Sequence, residues 1–400
     1  MTRRIGRIPK KPSRKKRSFR DKDFFRRAAC LVSYWERGSL VFENYATGSR
    51  ATAAPITAEI LDFFDEWRSA ESLYAHFNGY DPVSLRVAVK NLVKQSFIEE
   101  SPRKKAGSAS VLAESWRAWN PAGGFLHFSS RDMPFDPDLN ETAKYMQRIA
   151  RESPMPEPVK HYPRAEQVHL LPAQTEGNFP AALLARRTWR RFSPTSLAFS
   201  DLSTLLGLTW GIREWMPVPP LGRFALKTSP SGGALHPIEA YVVARNVAGL
   251  GRGIYHYNGD RHRLELVKKG ATKKQMTSYL AGQDWFSHAP VVVLMTAVFT
   301  RTQWKYKFPR AYRVVLAEAG HLCQTFCLTA AWLGLAPFCT MALADSKIDK
   351  ALGIDGVTED VVYAAGVGNV PEGADWRVAS LPENFATKKS EPQRDPKQSS

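Results

Sequence analysis

Ser229-Pro230-Ser231-Gly232-Gly233-Ala234-Leu235-His236-Pro237, followed at once by the strand-like Glu239-Ala240-Tyr241-Val242-Val243, decides how this chain is read. The paired glycines and the serines leave backbone N–H groups and hydroxyls on a bare loop that a planar ligand can approach closely. Prolines stiffen both flanks. Clusters of this composition mark ordinary turns far more often than ligand sites. The neighbouring sequence must therefore choose between the two.

About forty residues upstream, a helix-like Ala182-Leu183-Leu184 runs into Arg186-Arg187-Thr188-Trp189-Arg190-Arg191-Phe192. Guanidinium forks match phosphate oxygens bidentately, and Thr188 adds a hydroxyl donor, so the block has the chemistry of an anion site. A surface arginine cluster without a ligand is the competing reading. Downstream, Ala289 to Phe299 is an apolar, β-branched run about half as long as a bilayer span requires, and it reads as a buried strand. No secretory signal or transmembrane span is expected. Of the four cysteines, Cys323 and Cys327 lie one helical turn apart in an apolar segment, where buried free thiols are expected. No zinc-type spacing is evident, so no metal is expected, and the location is expected to be cytoplasmic.

The net charge of +18 is concentrated at the amino terminus, where ten Arg or Lys residues and no acid fall in the first twenty positions. A block of that kind is a solvated tail, and residues 1–22 are expected to be disordered, as are 383–400. Residues 23–102 suggest a small winged-helix-like module. Leu31–Trp35 and Leu40–Phe42 read as a hairpin, followed by three helical patterns and a short strand at Phe97-Ile98. The third helix opens on Asp81 and Pro82 and buries Leu85, Ala88, Val89, Leu92 and Val93. Its other face carries Arg86, Lys90 and Lys94. That face suits DNA, an acidic peptide or plain solvation, and its residues alone do not choose. From 103 to 176 the chain reads as a Pro- and aromatic-rich connector with one helix near Glu141–Ala150.

The order Arg-Arg-Thr-x-Arg-x-Phe from Arg186, Pro-Ser-Gly-Gly-Ala-x-His-Pro-x-Glu from Pro230, and Gly253-Ile254-Tyr255-His256-Tyr257 resembles the SagB-type dehydrogenases. These are the thiazole/oxazole peptide dehydrogenases of the nitroreductase superfamily. Glu318-Ala319-Gly320-His321, Leu352-Gly353-Ile354 and Val361–Gly368 continue the resemblance over about half the chain. It implies an α+β, nitroreductase-like FMN fold over 177–382, a central antiparallel or mixed sheet flanked by helices, and a homodimer with flavin at its interface. It also implies that Arg186, Thr188 and Arg190, in a block with Arg187, hold the phosphate and ribityl chain. Pro230, Ser231, Gly232 and Gly233 would lie near the ring, with the backbone around Met341 near flavin N5. Arg377 is the candidate late basic residue for the phosphate.

The family's adjacent Lys-Tyr pair corresponds to Lys305-Tyr306, implied to be catalytic. Aromatising a thiazoline or oxazoline removes a proton from carbon and delivers a hydride to flavin, with oxygen regenerating the cofactor. Lys305 serves as base if desolvation lowers its pKa, and a Tyr306 phenolate is the alternative. The implied partners are a ribosomally made precursor peptide, bound by the amino-terminal module, and a cyclodehydratase complex. Neither a membrane nor nucleic acid is expected. Two rivals stay open at this point: an NAD(P)H-dependent nitroreductase or quinone reductase, and a winged-helix DNA regulator with a flavin sensor.

Overall fold

A computed structural model describes residues 23–105, 107–135, 137–153, 171–219 and 222–374. The basic tail, Arg377, the tail from 383, and Pro154, Pro156 and Pro158 lie outside the described residues. The chain divides into two compact units, one ending at Ser129 and one beginning at Ser130.

In the first unit, β1 (Phe24–Arg27), β5 (Arg68–Ser69) and β6 (Ile98–Ser101) form one antiparallel sheet, with β1 in the middle. The expected hairpin is present as β2 (Leu31–Glu36) and β3 (Ser39–Asn44), extended by β4 (Ser49–Thr52) into a second sheet. Helices α1 (Ile56–Phe63), α2 (Ala70–His76) and α3 (Pro82–Lys94) supply the rest of its core. Phe25, Phe42, Leu61, Phe64, Leu73, Val89 and Phe97 are buried there together. The caps follow the sequence. Ser69 accepts the Ser72 N–H and Asp81 accepts the Ser84 N–H, satisfying donors a helix start leaves unpaired. On α3, Leu85, Val89 and Leu92 are buried, while Lys90 and Lys94 are exposed. Arg86 is half-buried, so the basic face is narrower than the spacing predicts.

The segment expected to be an irregular connector contains more helix than its composition predicts. Besides α6 (Leu139–Glu152), it forms α4 (Ser108–Ser115) and α5 (Ala122–Ser129). Trp116 and Trp119 between them are fully buried, and His127 stacks on Trp116 at 4.8 Å. Aromatic burial, rather than propensity, fixes these two short helices.

The second unit is organised by one six-stranded sheet, every pairing antiparallel. Its strands are β9 (Ile238–Ala244), β10 (Gly253–Asn258), β11 (Arg263–Lys269), β12 (Val291–Val298), β13 (Leu335–Thr340) and β14 (Glu359–Asn369), in the order β11-β10-β9-β12-β14-β13. β12 is the expected apolar run, buried along nearly its whole length. A separate hairpin pairs β7 (Glu214–Val218) with β8 (Gly222–Leu226). The flanking helices are α7 (Asn178–Ala185), α8 (Phe199–Trp210), α9 (Lys273–Tyr279), α10 (Phe299–Lys305), α11 (Tyr312–Trp332) and α12 (Asp345–Leu352). The segment containing α11 is long and apolar enough to cross a bilayer by length and composition, and half of it is buried. Its Val315, Ala319, Leu322 and Phe326 pack into the unit's core. This is the α+β architecture the motifs imply.

Candidate functional site

The Ser229–Pro237 loop is held from several sides. Ser229 is buried, and its hydroxyl lies 2.7 Å from that of Thr325 on α11. The Ser231 hydroxyl accepts the His236 N–H at 2.9 Å. Between them Gly233 has φ +70°, and Ala234 and His236 also sit in the left-handed region at 56° and 43°. Non-glycine residues there are strained. His236 is fixed by its ring, whose Nε2 lies 2.9 Å from the Ala225 carbonyl, and by Arg301, which donates to the His236 carbonyl at 2.7 Å. With Nε2–H donating to the carbonyl, Nδ1 is left as an acceptor.

The two glycines are required by close approach. A Cβ on Gly233 would stand 2.9 Å from Lys305 Nζ and 3.0 Å from the Tyr306 hydroxyl. One on Gly232 would stand 2.5 Å from Val314. Lys305 is the last residue of α10, and Tyr306 caps that helix by donating its N–H to the Thr302 carbonyl at 3.0 Å. The ammonium lies 5.4 Å from the Tyr306 ring centroid. Residues some seventy positions apart in sequence are thus brought together at one loop. Lys305 is exposed, so this chain alone does not desolvate it.

Behind the loop lies a cluster of charged groups around one buried carboxyl. Glu318, on α11, is 3% exposed, and neither carboxylate oxygen closes a hydrogen bond of normal geometry. Burial pushes its pKa up to about 7, against the opposing pull of Ser231, Lys227 and the Gly232 N–H. Its Oε1 is 3.8 Å from His236 Nδ1. Burial lowers His236 to about 4, helped by the Lys227 charge. Lys227 itself is lowered by burial. Glu239 takes Arg301 at 2.5 Å on one oxygen and His256 at 2.9 Å on the other. Burial would raise Glu239, but His256 and Arg301 outweigh it and the net shift is downward. Lys227, His236, Glu239, His256 and Arg301 border a cavity of about 530 Å³ whose walls include Trp215, Phe224 and Trp304.

The arginine block lies along β13. Trp189 donates its N–H to the Pro337 carbonyl at 2.9 Å and packs on Ala336, while Phe192 meets Phe338 at 5.8 Å. These contacts fix the backbone on either side of Arg190 and Arg191, and the Arg190 guanidinium lies 5.9 Å from the Phe286 ring centroid. Arg187 folds back onto the Leu184 and Arg186 carbonyls at 3.0 and 2.7 Å. Arg190 is half-buried, and burial lowers its pKa. Thr188 is half-buried as well. Among the described residues Arg186 has no carboxylate partner; its charge acts instead on Cys339. A guanidinium left without a carboxylate and a half-buried neighbour suit a phosphate dianion, so the residues present fit the phosphate end of FMN. Met341, just past β13, is 62% exposed, and no hydrogen bond or ring contact joins it to the loop among the described residues.

The sequence reading passed over Glu318, Lys227, Arg301, Glu239 and His256 as individual groups. Glu239 and Glu318 stand inside the quoted motifs, and that was the available signal. It placed Cys323 and Cys327 one helical turn apart but left Cys339 aside, whereas the Sγ atoms of all three lie within 4.8 Å of one another.

The nitroreductase family pattern matches residues 183–369. A Methanocaldococcus jannaschii protein named for the nitroreductases is 30% identical over 184 residues, covering 46% of this chain and 88% of its own length. The trifolitoxin-processing protein TfxB of Rhizobium leguminosarum bv. trifolii is 25% identical over 86% of this chain and 95% of its own. The microcin B17-processing protein McbC of Escherichia coli is 30% identical over 32% of this chain and 48% of its own. The chain belongs to the nitroreductase family, a family of oxidoreductases that generally bind FMN. Within it, the chain is a SagB-type dehydrogenase.

Proposed function

We propose that this chain is a cytoplasmic, FMN-dependent dehydrogenase that oxidises thiazoline or oxazoline rings in a ribosomally made peptide to thiazoles or oxazoles. The observation that carries the reading is the packing of Lys305 and Tyr306 against Gly233, because a simple reductase needs no proton-abstracting base beside that loop. The likeness to TfxB across nearly the whole chain, and to McbC over part of it, supports a peptide substrate through what those proteins process.

Arg186, Thr188 and Arg190 would hold the phosphate, and Pro230 to Gly233 would bed the ring. Bound FMN would supply the hydride acceptor. The chain's own part is to place the azoline carbon beside Lys305 Nζ or the Tyr306 hydroxyl, which takes the proton. Each ring loses two hydrogens in all, one as a proton to this base and one with its electron pair to the acceptor. Lys305 is exposed in one chain, so the water exclusion this step needs comes from a covering surface, which a homodimer would provide. The amino-terminal unit would bind the precursor peptide or a partner cyclodehydratase, and the exposed Lys90 and Lys94 suit an acidic leader.

The test is peptide oxidation by the purified protein, followed as a mass loss of two hydrogens per azoline. Lys305→Ala combined with Tyr306→Phe should abolish it while FMN is retained. A protein that cannot be reconstituted with FMN, or a double variant as active as the parent, would overturn the reading.

A further inference from the structure

Three of the four cysteines converge although their sequence spacing does not suggest it. Cys323 and Cys327 stand one turn apart on α11, and Cys339 faces them from β13. All three are free thiols, the first two buried and Cys339 partly accessible. Their sulfurs lie within 4.8 Å of one another. We propose that Cys323, Cys327 and Cys339 form a three-thiolate binding site for a divalent thiophilic metal ion of the zinc class.

Geometry comes first. Zinc–sulfur bonds of about 2.3 Å in a tetrahedron place sulfurs about 3.8 Å apart. The trio therefore needs a contraction of no more than about 1 Å to enclose an ion. Two ligands one helical turn apart and one from an adjacent strand are held by packed elements, so the site is largely formed beforehand.

Charge argues in the same direction. Three thiolates around a divalent ion leave one net negative charge, and the Arg186 guanidinium acts on Cys339 from nearby. A monovalent ion would leave two negative charges in a mostly buried place, at greater cost. On β14, the Tyr363 hydroxyl reaches Cys339. Among the described residues no further His, Cys, Asp or Glu joins the cluster. The fourth position falls to solvent on the accessible Cys339 side, or to the Tyr363 hydroxyl.

Binding replaces thiol protons by the ion and involves no redox change, so apparent affinity must climb with pH. The experiment uses the reduced full-length protein with its flavin. Zinc is added under anaerobic conditions against a chromophoric chelator, and zinc-edge X-ray absorption reads the ligands. We expect one equivalent bound, three sulfurs at about 2.3 Å, at least tenfold weaker binding in Cys339→Ser, and no change in Cys30→Ser. Should Cys339→Ser fail to fold, the parent's sulfur count and the rise of affinity with pH decide alone. Fewer than three sulfurs, pH-independent binding, or equal binding by Cys339→Ser and parent would overturn the proposal.

Discussion

Glu318 Oε1, buried behind the glycine loop, faces Nδ1 of the half-buried His236 across 3.8 Å, and burial shifts the two groups in opposite directions. Folding lowers His236 from its usual 6.5 to about 4, so in that window the unfolded chain binds the extra proton and stability rises with pH. Folding raises Glu318 from 4.5 to about 7, so there the folded chain holds the proton and stability falls as pH rises. Over their shared range the two slopes oppose. Glu318→Gln removes the falling one, and its melting temperature should climb with pH between 4.5 and 6.5 more steeply than the parent's. Lys227, Arg301 and Glu239 surround both groups and remain in place. Parallel melting curves would show that the carboxyl does not hold a proton there.

Gly233→Ala should disturb the Lys305-Tyr306 pair directly. The added carbon meets Lys305 Nζ at 2.9 Å and the Tyr306 hydroxyl at 3.0 Å, on a backbone with φ +70°. A displacement of about 1 Å at a reacting group costs about 100-fold in rate. Peptide oxidation should fall by about that factor in kcat, counted per bound flavin. An unchanged kcat would detach the Lys-Tyr pair from the reaction.

Arg186→Ala should weaken FMN but not riboflavin. A hydrogen bond to a charged group contributes about 1.5–3 kcal/mol, or about 10- to 100-fold in affinity. Riboflavin lacks the phosphate, so it should bind parent and variant alike. Fluorescence titration with both ligands measures the difference, and an equal loss for the two would place the guanidinium elsewhere.

Away from the site, Arg131 bridges two buried carboxylates, Asp349 and, at 2.8 Å, Asp360. Burial and their mutual repulsion raise Asp349 to about 9, and burial raises Asp360 to about 7 despite the guanidinium. Arg131→Ala leaves both without their cation, at a cost of about 3 kcal/mol. The loss should shrink as pH falls through 7, where protonation removes the uncompensated charge. Urea midpoints at pH 5 and 8 test both statements.

Much of this was legible in the residues, and the parts that were not share a cause. β12 announced itself because a fully buried strand must be apolar throughout, and α3 because its caps and its buried stripe agree. The loop and Lys305-Tyr306 were recognisable as motifs. Their contact was not, because it joins segments far apart in the chain. The helices at 108–115 and 122–129 escaped for another reason: each is only eight residues long, the second carries two glycines, and Trp116, Trp119 and Pro121 between them read as a connector until the burial of both tryptophans is seen. The cysteine trio escaped because a helix and a strand produce proximity without a spacing code. The charge behind the loop was legible only where Glu239 and Glu318 stand inside the motifs, since partners such as Arg301 and Lys227 carry no local signature.

Helix α11 touches both the glycine loop and the cysteine trio. Thr325 meets Ser229, Glu318 lies by Ser231, and Cys323 and Cys327 meet Cys339 beside Arg186. Glu318 and Thr325, seven residues apart, share one face of the helix, while Cys323 and Cys327 lie about half a turn away around it. The helix therefore works as a shared wall, with the glycine loop on one side and the cysteine trio on the other. An insertion between 318 and 325 would rotate these faces against each other and break both sets of contacts at once.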